Sequence, residues 1–416
     1  MPTKKANDKL AVYREKRRPD ATPEPFGAET EAAPGSRFVV QRHAARALHY
    51  DFRLEHDGVL LSWAVPKGPS LDPANKRLAV HVEDHPLDYI HFEGTIPAGN
   101  YGAGAVIVWD RGRYEPVEDF GSGLATGKLL FDLYGYKLRG RFTLIKTKRG
   151  PKDWLLIKER DAYVRRGDAA RLPEDSVLSG RTVEQVAAGE DLEADLEDEC
   201  RDAGARPNRV SFAEVKPMRA MEGKPFSDPE WVFEIDYDGR RLLAGKDHGR
   251  ARLESASRED FAASFPELVE ALDALPFEHF LLDGVAVVPG AKGLPSRASL
   301  TEHEHLAGEA GVVEAALRRP AALYAFDLLL CGGYDLRSLP LTERKRLLSE
   351  LLPSAGPIRL VEHIAGAGEA MLEQLENLDV QGIIAKRASA HYIGRRSRDW
   401  IAIGAPARSG KRPEDD

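Results

Sequence analysis

Residues 49–55 carry side chains that could bind a metal ion and a phosphate group. Polar and apolar residues alternate strictly there, so a β-strand would place four polar side chains on one face, namely His49, Asp51, Arg53 and Glu55. An imidazole and a carboxylate two residues apart can bind one cation, and the arginine can hold a phosphate on that cation. His43, just upstream, could supply a third ligand. Taken alone, the pattern is more often the wet face of a half-buried strand.

A second group of candidate residues follows the ends of strand-like runs. His85 and Tyr89 come after the run RLAVHV, where that strand ends in a turn. Lys67 follows the run LSWAVP, and Arg77 opens the run RLAVHV. Both cations are of the type that steadies phosphate oxygens. These residues strengthen the hypothesis of a phosphate site beside the metal-binding pattern.

Other motifs in this region have simpler interpretations. We interpret His81 as part of the wet face of its strand and His91 as the start of another short strand. The glycine-containing segment 99–104 leads into the strand-like run AVIVWD, so it predicts a turn between strands. A phosphate-binding glycine loop would precede a helix instead.

The composition limits the class of protein. The 416 residues are 42% hydrophobic and 30% charged, and no run approaches the roughly 18 apolar residues of a membrane helix, so we expect two soluble domains and no membrane span. The net charge of −8 argues against a uniformly basic surface, although basic residues crowd the start and residues 190–202 are acidic. Cys200 and Cys331 lack metal-type spacing, which excludes a disulfide framework and a cysteine-based zinc site.

The sequence pattern divides the chain into five segments. Residues 1–35 are basic and aperiodic and predict a mobile arm that orders on a partner. Residues 36–161 hold short alternating strands separated by Gly, Pro and Asp, which predict a small β-barrel. Residues 162–210 are charged and acidic and predict an interdomain linker. Residues 211–405 mix strands and helices, which predicts an α+β domain, and residues 406–416 form a polar tail.

The β-rich domain resembles the 3′-phosphoesterase domain of bacterial ATP-dependent DNA ligase D. Most of residues 10–161 take part, through the segments QRHAARALHYDFR, SWAVPKGPSLDP, VEDHPLDY, FEGTIPAGNYGAG and KDWLLIKERD. The resemblance implies Mn²⁺, or another divalent metal, bound by His43, His49 and Asp51. It implies catalytic roles around the scissile phosphate for Arg53, His85 and Tyr89. It also implies substrate-binding roles for Arg17, Glu24, Gln41, Lys67 and Arg77, whereas Arg18 departs from the family's N-terminal Arg-Asp pair.

The resemblance also implies a reaction. The family removes a 3′-terminal ribonucleoside and hydrolyses the resulting 3′-phosphate, which leaves a 3′-hydroxyl that can be ligated. The residue types suit this chemistry, because a metal polarises the phosphate and cationic side chains neutralise the charge that develops on its oxygens. A histidine can hydrogen-bond those oxygens or move a proton.

The second domain resembles the nucleotidyltransferase domain of ATP-dependent DNA ligases, of antiparallel sheets with flanking helices. The resemblance rests on the segments VKPMRA, WVFEIDYDGRRLLA, LLDGVAVV, YAFDLLL, VQGIIAKR and SRDWIAIG. At the position of the family's nucleophilic lysine, this sequence has Asp236. A carboxylate could form only a labile mixed anhydride with AMP. Four other positions lose a charge that ATP or magnesium needs: Val285, Gln381, Ala402 and Gly404. We therefore expect no ligation and no use of ATP, and, since the sequence ends soon after, no OB-fold domain.

Some residues of the ligase motifs remain. They are Asp238, Gly239, Arg241, Phe326 and Lys386, and they could hold the fold or an adenine ring. Packing and turn formation is the more common reason for such residues to persist.

These patterns lead to one leading hypothesis for function. We expect a manganese-dependent 3′-end-processing phosphoesterase of non-homologous end joining, fused to a ligase-like domain that is inactive in ligation. A non-catalytic scaffold that binds DNA ends or a repair partner is the alternative, and a working ligase would need another lysine, such as Lys246, in place of Asp236. The expected partners are DNA or RNA-DNA 3′ ends, a Ku-like end-binding protein and a separate active ligase or polymerase. The expected location is the bacterial cytoplasm, at the nucleoid.

Overall fold

A computed structural model describes residues 8–26, 36–290, 295–306, 309–375 and 380–404. The chain forms two compact units, Met1–Glu190 and Asp191–Asp416. Each unit has a hydrophobic core of its own. Within the described residues, no helix is both long enough and apolar enough to cross a membrane.

Within its described residues, the first unit is built on nine strands. They are β1 (Arg37–Ala44), β2 (Leu48–His56), β3 (Val59–Val65), β4 (Arg77–His81), β5 (Gly94–Ile96), β6 (Gly104–Pro116), β7 (Lys128–Gly135), β8 (Arg139–Lys146) and β9 (Asp153–Lys158). The antiparallel order β1-β2-β3-β4-β9-β8-β7-β6 closes into a barrel because β6 also pairs with β1, and β5 pairs with β6. The predicted small β-barrel is confirmed. Its helices are α1 (Ala11–Glu15), α2 (Phe120–Thr126) and α3 (Val183–Ala188), with 3₁₀ turns at Leu87–His91 and Gly167–Ala170.

The hairpin between β2 and β3 sets which side chains face the core. Asp57 and Gly58 form its two-residue turn, with φ of 48° and 80°, and an Asp-Gly pair is favoured there because both residues need positive φ. The even-numbered residues Phe52 and Leu54 are fully buried in the barrel core. The odd-numbered polar residues of β2 therefore lie on the outer face of the barrel wall.

The structure differs from two of the predicted boundaries. Residues 8–26 of the predicted mobile arm pack on the barrel, where Tyr13 is fully buried, while residues 1–7 and 27–35 lie outside the described residues. The predicted linker, residues 162–210, is folded, and the division between the units falls inside it, after Glu190. Its first part adds α3 to the barrel, because Val183 packs on Ala105 and Ile107 of β6. Scattered apolar side chains anchor these otherwise polar segments.

The second unit contains twelve strands and six helices within the described residues. The strands are β10 (Arg206–Pro207), β11 (Arg219–Glu222), β12 (Trp231–Asp236), β13 (Arg240–Asp247), β14 (Arg250–Glu254), β15 (Phe280–Val287), β16 (Ala322–Cys331), β17 (Tyr334–Asp335), β18 (Ile358–Leu360), β19 (His363–Ala365), β20 (Gly382–Arg387) and β21 (Arg396–Gly404). The helices are α4 (Leu192–Asp202), α5 (Pro266–Ala274), α6 (Arg297–Glu304), α7 (Glu309–Arg318), α8 (Leu341–Leu351) and α9 (Gly368–Leu375), with a 3₁₀ turn at Phe212–Glu214.

These strands form two sheets. One sheet runs β10-β17-β16-β15-β13-β14 with β18 beside β16, and the other runs β11-β21-β20-β12-β19. Most pairs are antiparallel, and β11–β21 and β16–β18 are parallel. The predicted domain of sheets with flanking helices is confirmed. Helix α4, from the predicted linker, buries Cys200 against Cys331 of β16, and a hydrogen bond between the thiols together with burial raises the pKa of Cys331.

A fully buried ion pair ties α8 to β16. The Arg344 guanidinium donates to both carboxylate oxygens of Asp327, at 2.7 and 2.9 Å, and both side chains are 0% exposed. Its remaining contacts are the carbonyl oxygens of Leu339 and Ala390. Four of the five N–H groups of the guanidinium thus donate to acceptors inside the protein.

We expect Arg344→Met to lower the free energy of unfolding of the second unit by roughly 3–5 kcal/mol, because Asp327 would keep a buried charge without its partner. Urea denaturation of the full chain, followed by circular dichroism, measures this change. Arg346→Met is the matched control on the same helix, since Arg346 is 39% exposed and its ion pairs contribute no more than about 1 kcal/mol. Equal losses in the two variants would contradict the expectation.

Candidate metal and phosphate site

The pairing of β1 with β2 brings the three predicted metal ligands together. His43 lies directly opposite His49, and Gln41 lies opposite Asp51. The ligand atoms of His43, His49 and Asp51 all lie within 4.8 Å of one another. His43 Nδ1 and His49 Nε2 are each 3.6 Å from a carboxylate oxygen of Asp51. In the described residues, this is the one group of three or more such side chains with this geometry.

Backbone carbonyls set the tautomer of each histidine. His43 Nε2 lies 2.8 Å from the Gly102 carbonyl oxygen, and His49 Nδ1 lies 3.0 Å from that of Ala47. A carbonyl oxygen only accepts, so each of these nitrogens donates its hydrogen. The other ring nitrogen of each residue then presents a lone pair toward Asp51. Two imidazoles held in this way with a carboxylate fit a divalent transition metal such as Mn²⁺ or Zn²⁺.

Asp51 is held as a carboxylate. Burial opposes its ionisation, but the charge of the adjacent Arg53 guanidinium outweighs burial and keeps the pKa of Asp51 well below its usual range. An ionised oxygen donor is therefore present at neutral pH, as metal binding requires.

Arg53 is buried at the centre of the site. Its guanidinium donates to Gln41 Oε1 at 2.9 Å, to Ser62 Oγ at 2.8 Å and to Asp51 Oδ2 at 3.1 Å. Gln41 is in turn fixed by donating to the carbonyl oxygens of Tyr89 and Phe92, both at 3.0 Å. Gln41 therefore positions Arg53, and the guanidinium is locked beside the candidate metal ligands.

His85 lies on the other side of Ser62 and is held neutral. Its Nδ1 donates to the Glu83 carbonyl oxygen at 2.9 Å, and Ser62 Oγ is 3.4 Å from the same nitrogen. Its Nε2 lies 3.4 Å from a guanidinium nitrogen of Arg17. Burial and the charges of Arg53 and Arg17 hold the pKa of His85 well below its ordinary value.

The N-terminal segment 8–26 completes this face of the barrel. Arg17 donates to Glu24 at 2.8 Å, and the Tyr89 hydroxyl donates to the same carboxylate oxygen at 3.0 Å. Burial and the Glu24 carboxylate raise the pKa of Tyr89 well above its usual value. The Tyr13 ring packs under the Arg17 guanidinium at 4.0 Å and edge-on against His85. Arg17, Glu24, His85 and Tyr89 thus form one buried network.

Lys67 and Arg77 are placed at the barrel end where β2 begins. Lys67 is exposed two residues after β3, and Arg77 opens the antiparallel neighbour β4. Arg77 shares a strand face with Ala79 of the barrel core, and its Nε is buried without a hydrogen-bond partner. Among the described contacts, none joins either residue to His49 or Asp51.

Several residues of the site were not found from the sequence. Ser62, Tyr13 and Glu83 contact the candidate residues through side chains, and Gly102 does so through its carbonyl oxygen. The alternation of β3 could have placed Ser62 on the outer face, opposite Arg53. No local pattern marks the other three. The segment 99–104 is the predicted turn between strands.

In the second unit, four of the five positions that we expect to differ from the ligase motifs lie in or next to the five-stranded sheet. Asp236 and Gly404 both pair with Gly382, and Ala402 lies two positions away on β21. Gln381 donates to Asp238 at 2.8 Å. Val285 comes from the other sheet, and its Cγ1 lies 2.4 Å from where a Cβ on Gly239 would be.

Lys386 and Arg241, which resemble residues of the ligase motifs, take part in charge pairs with little solvent exposure. Lys386 and Lys345 each lie 2.7 Å from a carboxylate oxygen of Glu234, and the Lys386 ammonium packs over Phe326 at 3.9 Å. Burial lowers the pKa of Lys386 to about 8. Arg241 pairs with Asp283 at 2.7 Å.

Lys246 lies in the other sheet from Asp236. It is buried, and its ammonium donates to the Leu275 carbonyl oxygen at 2.6 Å. Its pKa is lowered by this burial. The structure therefore does not bring Lys246 to Asp236.

The barrel with its candidate metal site and the two-sheet domain indicate a protein with two modules. Residues 41–146 match the DNA Ligase D 3′-phosphoesterase domain family, and residues 215–403 match the ATP dependent DNA ligase domain family. The chain thus carries a phosphoesterase-type domain followed by a ligase-type domain.

The same relatives match both modules. The chain is 41% identical over 423 residues to the multifunctional non-homologous end joining protein LigD of Pseudomonas aeruginosa, with 97% of this chain and 47% of that protein covered. It is 35% identical over 398 residues to the LigD repair protein of Mycobacterium tuberculosis H37Rv, with 95% and 45% covered. The chain is similar to these LigD proteins over nearly all of its own length and spans about half of theirs. A solved mycobacterial DNA ligase D complexed with ATP and MES is 30% identical, with a TM-score of 0.41 over 47% of this chain and 62% of that one.

We expect Arg17→Met to release the N-terminal segment from the barrel, because the substitution leaves Glu24 buried without its cation. Hydrogen exchange of residues 8–26, measured by mass spectrometry, should rise toward that of an unfolded peptide. Arg18→Met is the adjacent control, since the Arg18 side chain is 78% exposed. Unchanged protection in Arg17→Met would show that the buried network does not hold the segment.

Proposed function

We propose that the first unit is a manganese-dependent phosphoesterase that processes 3′ ends of broken DNA in non-homologous end joining. It would remove a 3′-terminal ribonucleoside and a 3′-phosphate, leaving a 3′-hydroxyl. The observation that carries the proposal is the convergence of His43, His49 and Asp51 within 4.8 Å, beside the buried Arg53 guanidinium. A cation site that shares a carboxylate with a guanidinium suits a bound phosphate ester. The similarity to non-homologous end joining proteins supports DNA ends as the substrate.

The residues of the site divide the work. His43, His49 and Asp51 would hold the divalent cation, which supplies Lewis-acid polarisation of a phosphate oxygen. Arg53 uses only part of its set of N–H donors on Gln41, Ser62 and Asp51, so it can also donate to a phosphate oxygen.

His85 and Tyr89 are constrained to narrower roles. His85 Nδ1–H is committed to the Glu83 carbonyl, so this neutral ring can accept a proton or a hydrogen bond only at Nε2. Tyr89 donates to Glu24, which orients the phenol and keeps it protonated. Both groups border Arg53, whose guanidinium lies 5.0 Å from the Tyr89 ring.

We further propose that the second unit does not ligate and does not use ATP. Asp236 occupies the position where a ligase has the lysine that attacks ATP. Its carboxylate would repel the triphosphate. The Lys386 ammonium is engaged by Glu234 and packs over Phe326, and Gln381 is bonded to Asp238, so retained polar groups are used within the domain. A Ku-like end-binding protein and a separate active ligase or polymerase are the partners that such a protein would need, in the bacterial cytoplasm at the nucleoid.

We expect Mn²⁺-dependent release of a 3′-ribonucleoside and of phosphate from a labelled primer-template, and loss of both with a chelator. His49→Ala should lower the rate roughly 100-fold or more, because a metal ligand is lost. His91→Ala is the matched control, since His91 is exposed on the same unit and is not part of the ligand group.

Metal binding is measured separately from turnover. Mn²⁺ should raise the thermal unfolding midpoint of the wild type and of His91→Ala but not of His49→Ala. Absence of cleavage with every divalent metal and 3′ end would reject the phosphoesterase and favour the alternative, a non-catalytic scaffold on DNA ends or on a repair partner.

We expect no adenylate on the protein after incubation with α-labelled ATP and magnesium, as judged by denaturing gel electrophoresis. Asp236→Lys alone should also remain unlabelled, because Val285, Gln381, Ala402 and Gly404 still lack the other charges. An active ATP-dependent ligase serves as the positive control. Labelling of the wild type at any lysine would refute the proposal of an inactive domain.

A further inference from the structure

The turn between β5 and β6 presents an aromatic ring at the edge of the candidate site. Tyr101 lies in this turn and is 51% exposed. Gly99 and Gly102 have φ of 91° and 76°, which lets the chain turn tightly on both sides of the ring. Asn100 donates to the Ala21 carbonyl oxygen at 2.9 Å and so ties the turn to the N-terminal segment. The ring is therefore exposed on a backbone that is held in place.

Tyr101 is connected to the site from two directions. Through the backbone, the next residue is Gly102, whose carbonyl oxygen fixes the tautomer of the candidate metal ligand His43. Through side chains, the Lys16 ammonium lies 4.5 Å above the ring and 2.9 Å from Glu83. The ring is thus bracketed by the metal ligands and by the cations around His85.

A second cation reinforces this arrangement. The Arg17 guanidinium lies 5.5 Å above the Tyr101 ring and 3.4 Å from His85 Nε2. An exposed aromatic ring beside cations is the combination that binds single-stranded nucleic acid, because the ring stacks on a base while the cations meet phosphates. Tyr101 is 51% exposed, so part of the ring is accessible to a base.

We propose that Tyr101 is a stacking platform for a nucleobase in the last two nucleotides of the strand being processed, with Lys16 beside the adjoining phosphate. The inference rests on the proposed function and adds to it a requirement for a base near the 3′ end. Stacking uses the face of a base and not its hydrogen-bonding edge, so recognition is independent of sequence. The platform also favours a frayed or single-stranded terminus, because a base stacked within a duplex cannot reach the ring.

The first experiment compares three substitutions in the full chain with Mn²⁺. Tyr101→Ala should raise KM for a 3′-ribonucleotide primer-template roughly tenfold with little change in kcat, and Tyr101→Phe and Tyr101→Trp should restore KM. Tyr134→Ala is the matched control, because Tyr134 is 48% exposed beneath Arg113 at 4.6 Å but has no described contact with the site. An unchanged KM in Tyr101→Ala, or an equal rise in Tyr134→Ala, would overturn the inference.

The second experiment removes the base instead of the ring. Two substrates are compared, one abasic at the last nucleotide and one abasic at the last but one. For one of the two, the KM of the wild type should rise by a factor similar to that caused by Tyr101→Ala on the intact substrate. With that substrate, Tyr101→Ala should cause no further loss. A full additional loss with both abasic substrates would also overturn the stacking role. If the wild type cleaves neither the intact primer-template nor the abasic substrates, the proposed function itself fails. That outcome differs from cleavage that is unaffected by substitution of Tyr101.

Discussion

The candidate site depends on a buried guanidinium that must find its partners inside the protein. Arg53 is 2% exposed, and an unpaired charge at such a position would be strongly destabilising. Its partners come from three adjacent strands, since Gln41 lies on β1, Asp51 on β2 and Ser62 on β3. The same Asp51 carboxylate faces His43 and His49. The same contacts therefore compensate the buried charge of Arg53 and bring together the residues of the candidate cation site.

The segment that covers this wall solves a similar problem. Arg17 and Glu24 are buried together, and their contacts with His85 and Tyr89 leave the charges paired and the ring neutral. A polar, basic peptide can thus pack on a protein surface when each buried charge has a partner of opposite charge at the contact. This explains why residues 8–26 are folded although their composition predicted a mobile arm.

Buried charge pairs also stabilise the second unit. The pairs Arg344–Asp327 and Glu234–Lys386 are buried and would be costly to break. Gln381 and Val285, which the sequence comparison with ligase motifs singled out, lie against Asp238 and Gly239. These contacts join residues of the second unit to one another.

The sequence by itself determined the strand pattern of the barrel, the common face of the polar residues of β2 and the family resemblance of both domains. Each depends on local order or periodicity, which a sequence displays directly. Only the tertiary structure decided that Gly102 orients His43, that Ser62 supports Arg53 and that the linker folds. Periodicity tells which face of a strand a side chain occupies, but its partner depends on the register of other strands and on how distant segments pack.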